Sequence, residues 1–392
     1  MRKDWVIKEL GDVCTLQRGF DLPKRLRQQG EYPLMSSSGC IDTHVEAKVA
    51  GPGVVTGRSG SIGSIFFIEE DFWPLNTALY VKDFHGNDPR FVFYLLNKFD
   101  LTRFSSGAGV PTLNRNHVHG ELVYVPTRVA EQKRIVAILD EAFEGIDGAI
   151  ANTEKNLANT HELFESYLNV IFTRKGDDWR DLTLQEISIK FGRGKSKHRP
   201  RGDKKLYGGK YPLIQTGDIG NSKHRITDYS QTYNESGLAQ SELWPRGTVC
   251  IAIVGANIAE TAILGFDACF PDSVIGIVVD NDIASSDYVE YLLQFFKSEI
   301  KAKGKGTARE NINMGTFANQ KFPFPTLETQ KVIACQLDEL SCQAGRLEDL
   351  YQQKIAALNE LKQSILQKAF SGDLTANTAA QASNVAQEVA AA

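Results

Sequence analysis

The chain contains the same long segment twice. Glu131-Gln132-Lys133-Arg134-Ile135 leads to Leu139-Asp140-Glu141, and 198 residues later Thr329-Gln330-Lys331-Val332-Ile333 leads to Leu337-Asp338-Glu339. The offset persists, pairing Ser166, Leu168 and Phe172 with Ser364, Leu366 and Phe370. So long a period excludes a solenoid of small stacked units. It marks a duplicated module, and a fold with two similar parts is expected.

The repeat cuts the 392 residues into segments. A chain of this length exceeds one ordinary core. Residues 1–128 and 176–325 are rich in Gly, Pro and short apolar runs. They resemble each other faintly: Tyr32-Pro33-Leu34-Met35 matches Tyr211-Pro212-Leu213-Ile214, and Gly53-Val54-Val55 matches Gly247-Thr248-Val249. Short β-branched runs between turn residues predict strand-rich α+β domains with one or two helices each. Residues 129–175 and 326–375 lack proline and predict long helices. The tail 376–392, rich in Ala, Gln and Asn, reads as disordered.

The helical segments carry a heptad pattern. In the first, Ile135, Leu139, Ile146, Leu163 and Tyr167 fall on one seam. In the second, Ile333, Leu337, Leu340, Leu347, Tyr351, Leu358, Leu361 and Ile365 keep the same phase. Such a seam predicts an antiparallel coiled coil of rods about 65 Å long. Asn156 and Lys354 interrupt it at matching places. The first helix has a second apolar row, Phe143, Ile150, Leu157, Phe164 and Ile171. That row either packs on the chain's own domains or docks helices of a partner subunit.

Net charge is −4, yet the charge is segregated. Residues 190–210 hold nine Lys or Arg against one acid, whereas 129–175 hold eight acids and five bases. A basic stripe binds phosphate whatever the overall sum. No apolar run reaches the ~20 residues of a membrane span. The start, Met1-Arg2-Lys3-Asp4-Trp5, does not read as a signal peptide, and six scattered cysteines form no Cys-x-x-Cys pair. The expectation is a cytoplasmic protein with reduced thiols.

Catalytic signatures are missing. Gly192-Arg193-Gly194-Lys195-Ser196 has Ile189 where a phosphate-binding loop needs its leading glycine. No Asn/Asp-Pro-Pro-aromatic string of an amino-methyltransferase occurs, and His117 and His119 lack partners for a metal. No cofactor or metal is therefore expected on this chain. The DNA-binding candidates are stronger. Lys195, Lys197, Arg199, Arg201, Lys204 and Lys205 interleave with Gly and Pro in a basic loop, and Thr216, Asp218 and Asn221 follow a short strand. A second glycine-rich loop carries Lys303, Lys305, Arg309 and Asn311. The first domain offers Ser36, Ser37, Arg58, Ser59, Asn114 and Arg115. Lys and Arg suit phosphate, and Arg, Asn and Thr can read base edges. At each position, loop geometry is an equally good explanation.

Two variable domains, each opening with Trp and a Leu five residues on, are each followed by a helix. The helices are led by Pro126, Gln132, Lys133, Asp140 and Glu141 in one copy and by Pro325, Gln330, Lys331, Asp338 and Glu339 in the other. Over roughly 1–375 this pattern resembles the specificity subunit of type I restriction-modification systems. The resemblance implies two target recognition domains, each reading half of a bipartite asymmetric site in double-stranded DNA. It implies paired helices that set the spacer and dock two modification (methyltransferase) subunits, which hold S-adenosylmethionine and methylate adenine. Restriction (translocase/nuclease) subunits join the complex, and the chain itself lends no catalysis. Two other readings remain: a coiled-coil adaptor without a DNA role, and a stand-alone DNA-modifying enzyme.

Overall fold

The structure is a computed structural model that describes residues 4–106, 111–198, 200, 202–304 and 312–375. It is mixed α+β, with two strand-rich domains and two long helices. The first domain contains β1 (Trp5–Glu9), β2 (Thr15–Arg18), β3 (Tyr32–Ser36), β4 (Gly39–His44), β5 (Gly53–Gly57), β6 (Ile65–Ile68), β7 (Trp73–Pro74), β8 (Ala78–Asp83), α1 (Pro89–Asn97), β9 (Ser105–Ser106), β10 (Thr112–Leu113), α2 (Arg115–His119) and β11 (Leu122–Pro126). It leads into α3 (Val129–Thr173). One sheet has the order β2-β8-β5-β6 and another β4-β3-β7. The first and last strands pair antiparallel, Trp5 opposite Pro126, and so close the domain.

The second domain repeats this plan with additions. It contains β12 (Arg180–Thr183), β13 (Ser188–Arg193), β14 (Tyr207–Leu213), α4 (Thr216–Asn221), β15 (Arg225–Ile226), β16 (Gln231–Tyr233), α5 (Glu235–Ala239), β17 (Leu243–Trp244), β18 (Val249–Ala252), β19 (Thr261–Leu264), β20 (Ala268–Cys269), β21 (Val274–Val279), α6 (Ser286–Phe295), α7 (Lys297–Gly304), α8 (Met314–Phe317) and β22 (Lys321–Phe324). It leads into α9 (Leu327–Ser371). Its main sheet, β13-β21-β18-β19-β15, adds a fifth strand, and β16-β14-β20-β17 adds a fourth to the smaller one. Arg180 opposite Phe324 closes this domain as Trp5 opposite Pro126 closes the first.

Each core lies between the main sheet and one short helix. In the first domain, Asp88 accepts the amides of Arg90 and Phe91, and Pro89 presets the first turn of α1. The helix buries Phe91, Val92, Leu95 and Leu96 against Val54, Leu79 and Val81. Each such side chain removed from water contributes about 1.5–3 kcal/mol. In the second domain, Tyr288, Val289, Leu292 and Leu293 of α6 cover Val249, Ile251 and Ile275.

Both long helices are divided between two compact units. One unit takes the chain up to Glu154 and from Gln352 onward, the other Lys155–Tyr351. In the first unit, Thr375 Oγ1 donates to Glu131 Oε1 at 2.6 Å and Lys362 Nζ meets Asp147 at 2.6 Å. Numbers rise along α3 as they fall along α9, so the packing is antiparallel. Leu366, Ala369 and Phe370 join Ile135 and Leu139 in the first domain's core. In the second unit, His161 meets Glu348 at 3.3 Å. There Leu168 and Phe172 share the second domain's core with Ile333 and Leu337.

The heptad seam read from the sequence holds only in part. Ile135, Leu139 and Ile146 are buried, and so are Thr153 and Thr160, whose hydroxyls donate to the carbonyls of Ala149 and Asn156. Beyond Thr160 the buried stripe moves forward by one to two residues, to Leu168 and Phe172, leaving Leu163 62% exposed and Tyr167 and Val170 exposed. On α9, Ile333 and Leu337 are buried and Leu340, Tyr351, Leu358 and Ile365 are half-buried, while Leu347 and Leu361 are exposed. A helix of 3.6 residues per turn drifts from a strict heptad by about 20° per repeat. Here the stripe follows that drift toward each domain's core. The second apolar row shows the same effect. Phe143 packs on the first domain's core, and Phe164 and Ile171 pack on the second's; Ile150 and Leu157 are half-buried. Phe143, Phe164 and Ile171 therefore serve the chain's own domains, which is the first of the two roles open to that row.

Candidate nucleic-acid interface

Each domain turns its basic residues out through a loop launched by a glycine. A Cβ on Gly19 would stand 2.3 Å from the Leu75 carbonyl oxygen, and one on Gly194 would stand 2.2 Å from that of Phe270. Only glycine lets the strand end pass so close to its neighbour. After Gly194 come Lys195 and Lys197, both exposed, and then the turn Lys204–Leu206, where Asp203 accepts the Lys205 amide. That hydrogen bond, with a second from His198, holds the Asp203 carboxyl below its usual range. Lys204 and Lys205 project into solvent. Glu242 draws Lys190 to 2.7 Å and Lys195 to 2.9 Å, and Lys190 lies 3.7 Å over the Trp244 ring.

The first domain has a counterpart that the sequence reading missed. After Gly19 the chain makes the turn Lys24–Leu26, with Lys24 and Arg25 exposed. The string Lys24-Arg25-Leu26 matches Lys204-Lys205-Leu206 in conformation as well as composition. The repeat itself was the signal that could have found it.

The other candidates of the first domain gather around one loop. Ser59 bridges Thr112, Leu113 N donates to Arg58 O at 2.8 Å, and Gly60 N donates to Pro111 O at 3.2 Å. Arg58 Nε donates to the Asn76 carbonyl at 2.8 Å, and Asn76 binds Asp21, which also holds Arg18 at 2.9 Å. Arg18 and Asn76 thus adjoin the loop, another pair not singled out from the sequence. Ser37 lies beside it, its carbonyl oxygen 3.1 Å from the position of a Cβ on Gly57. Ser36 is buried, and its hydroxyl donates to the Gly39 carbonyl at 3.1 Å, which is a turn-forming role. Asn114 caps α2, and Arg115 reaches the Leu16 carbonyl at 3.4 Å with its side chain exposed.

In the second domain, Asp218 and Gln215 cap α4 reciprocally, and the Thr216 carbonyl accepts from Asn257 at 3.0 Å. These contacts fix local structure. Asn221 is exposed and lines a cleft with Lys223, Arg225 and Asp228. Lys303 pairs with Glu299 at 2.8 Å along α7. Arg199, Arg201, Lys305, Arg309 and Asn311, with the tail 376–392, lie outside the described residues. Among the described residues no cluster of His, Cys, Asp or Glu could hold a metal, and no helix is long and apolar enough to cross a membrane.

Behind the loops, a charged cluster ties the second domain to α9. His224 Nδ1 lies 2.5 Å from Glu290, its Nε2 lies 3.3 Å from Asp287 and 3.7 Å from Asp338, and its ring stacks on Tyr291 at 4.3 Å. Burial opposes charge on His224, but hydrogen bonds to Asp287 and Glu290 and the charges of Glu290 and Asp338 outweigh it and raise its pKa to about 9. The first domain places Arg90 Nε at 2.8 Å from Asp140 and packs Tyr94 on the same carboxylate at 2.5 Å.

Strand-rich domains carried by paired long helices also form the HsdS subunit from Thermoanaerobacter tengcongensis. That structure matches 95% of this chain and 98% of its own with a TM-score of 0.53 at 19% identity. A chain solved in work on complex assembly and conformational transition of the type I R-M system matches with a TM-score of 0.75 at 18% identity, covering 95% of this chain and 99% of that one. The Type I restriction modification DNA specificity domain model matches residues 2–157 and 176–360, and the chain belongs to that family. The MjaVIII specificity subunit of Methanocaldococcus jannaschii is 27% identical over 210 residues, 53% of this chain and 45% of the relative. The EcoBI specificity subunit of Escherichia coli is 36% identical over 77 residues, 20% of this chain and 16% of the relative. The chain thus aligns with less than half the length of these curated relatives.

Proposed function

We propose that this chain is the address-reading subunit of a type I restriction-modification complex. Each domain reads one half of a bipartite, asymmetric site in double-stranded DNA. The long helices set the unspecified spacer and seat two modification subunits. Those subunits hold S-adenosylmethionine and methylate adenine, and restriction subunits join for translocation and cleavage. The chain lends no catalytic group to either reaction.

The observation that carries this reading is the matched pair of basic turns. Lys24 with Arg25, and Lys204 with Lys205, stand at equivalent places in two domains of one plan. Such cations supply affinity and register on the phosphate backbone without reading sequence. Arg58, Ser59 and Asn114 in one domain, and Asn221 in the other, supply groups that can discriminate bases at about 1–3 kcal/mol per bidentate contact. Either domain alone binds weakly, and joining them makes the second contact intramolecular.

The test is to exchange residues 176–325 for the second domain of another family member and sequence the methylated sites. One half of the target should change and the other should stay. A change in both halves would refute the reading.

A further inference from the structure

The second domain carries an insertion at a place where the first has only a tight turn. In the first domain β3 passes into β4 through Ser37 and Ser38 alone, whereas α4 and β15 stand between β14 and β16. The insertion is built firmly into its domain. Ile219 and Ile226 are buried in a core with Ile214 and Leu264. β15 runs parallel to β19, where Ile263 N donates to His224 O at 3.0 Å and Gly265 N donates to Ile226 O at 2.9 Å. Glu290 holds His224, and Asp287 holds Arg225. Gln215 Nε2 donates to Gln231 Oε1 at 2.8 Å and closes the base of the insertion. Groups held this firmly need little ordering on binding.

α4 lies at the rim from which the basic loop leaves. Gly194 N donates to Val274 O at 2.9 Å and Ile253 N donates to Ser273 O at 3.0 Å, so the basic loop and the β18–β19 loop leave the main sheet at one end. Asn257 of the β18–β19 loop donates to the Thr216 carbonyl at 3.0 Å and fits beneath Gly220, whose Cβ would stand 2.6 Å from its carboxamide carbon. The loop that carries Arg58 and Ser59 joins the equivalent strands of the first domain, β5 and β6.

The insertion encloses a cleft of about 470 Å³ whose lining includes Asn221, Lys223, Arg225, Asp228 and Tyr229. The charges in it differ in their partners. Asp218, also in the lining, caps α4, and Arg225 is held by Asp287. Lys223 lies 3.4 Å from Glu348 of α9, yet 68% of its side chain stays in solvent. Asp228 accepts the amide of Tyr229 at 2.8 Å, and among the described residues no cation pairs with it. Tyr229 packs edge-on against Phe266 at 5.2 Å and holds that segment in place. A carboxylate left unpaired on a basic rim repels phosphate. It suits a base edge that donates, which in the major groove is the amino group of cytosine or adenine. Lys223 and Arg225 beside it lower the cost of bringing that carboxylate near DNA.

We propose that Asp228 is a specificity-determining residue, accepting a hydrogen bond from the exocyclic amino group of a cytosine or adenine in the half-site read by the second domain. The base pair it reads has no counterpart in the other half-site, because the first domain lacks the insertion. The inference deepens the proposed function and rests on it.

The test is methylation by the full chain in complex with its modification subunit, on targets randomised over both half-sites, with the halves assigned by the domain exchange. Asp228→Ala should lower discrimination at one position of the second domain's half-site by at least about fivefold, leaving the other positions and the first half unchanged. Asp228→Asn distinguishes the two bases, because a carboxamide pairs bidentately with adenine: it should keep a preference for adenine and weaken one for cytosine. An unchanged target with Asp228→Ala overturns the inference and leaves the proposed function standing. Loosening at several positions, or loss of all methylation with both variants, marks Asp228 as a structural residue and also overturns it. A wild-type complex that methylates no bipartite site overturns the inference and the proposed function together.

Discussion

The Gln132 carboxamide accepts the amide hydrogen of Asp88 at 2.9 Å. Asp88 is the N-cap of α1, so one side chain near the start of α3 fixes where the domain's core helix begins. The same carboxamide donates to Asn87 Oδ1 at 2.7 Å and to the Pro126 carbonyl at 3.3 Å, tying in the last strand. Gln330 repeats the arrangement: it accepts from Ser285 N at 3.0 Å and donates to the Ile283 and Pro325 carbonyls at 3.1 and 2.9 Å. Both glutamines are buried. The motif shared by the two copies is thus a bolt joining domain to helix, and each domain is anchored in the same way.

Replacing the bolt should be costly. Gln132→Leu keeps most of the volume but strands the Asp88 amide and the Pro126 carbonyl in the interior. Each buried polar group left without a partner costs about 1–3 kcal/mol, so a loss of about 3 kcal/mol is expected. Gln132→Glu keeps the acceptor, loses the amide donor and buries a charge, so it should be no better. Urea unfolding followed through Trp5 would measure it. A loss under about 1 kcal/mol would show that the hydrogen bonds are incidental.

The His224 cluster gives the second domain a pH dependence of known sign. Its folded pKa of about 9 lies above the ordinary 6.5. The stabilisation is fully present below about pH 6.5 and is lost as pH rises through about 9. A shift of this size corresponds to about 3 kcal/mol. The stability difference between wild type and His224→Gln should therefore shrink as pH rises from 6 to 10. A difference that stays constant over that range would mean that folding leaves the titration of His224 unchanged.

The matched basic turns predict a salt signature. Each phosphate that a cation ceases to neutralise lowers the slope of log affinity against log salt by about 0.9. Replacing Lys24 and Arg25 by alanine, or Lys204 and Lys205, should flatten the slope by about 2 units per pair if all four cations meet phosphate. The weakening should be the same for cognate and unrelated DNA, because these residues position rather than specify. Filter binding at several salt concentrations decides it. An unchanged slope removes the turns from the interface.

What the sequence disclosed follows from which forces are local. The duplicated motif, the paired helices and the strand-rich domains were legible because a repeated string and a helical period are properties of the chain itself. The internal match even marked Leu168 with Leu366 and Phe172 with Phe370, all four of them buried. The heptad rule instead chose Leu163 and Tyr167, since it assumes that each helix sees only the other, whereas here the ends of the stripe are set by the domain cores. Polar residues depend on tertiary contacts in a related way. Lys362 of α9 lies half-buried, 4.9 Å over the Phe143 ring, and pairs with Asp147. Asp218 and Asn114 both read as base contacts in the sequence, and both also cap short helices, because a capping side chain and a base-reading one carry the same groups. Only tertiary contacts tell them apart.

Adjacent residues on α3 should separate the two roles that an apolar helix face can play. Phe164 is half-buried, packs on the second domain's core and lies 6.3 Å from the Tyr291 ring. Leu163, next to it, is 62% exposed and shares its face with Tyr167 and Val170, one and two turns on. Phe164→Ala should destabilise the second domain by about 2–3 kcal/mol, below the full range for a completely buried phenylalanine. Leu163→Lys should change stability by no more than about 0.5 kcal/mol, as exposed sites do. If this face seats a modification subunit, Leu163→Lys should weaken complex formation at least tenfold, measured by titration calorimetry, while DNA retention by the chain alone stays unchanged. Normal assembly with Leu163→Lys, together with failed assembly in a Phe164→Ala chain that still folds, would return the docking role to the row that includes Phe164.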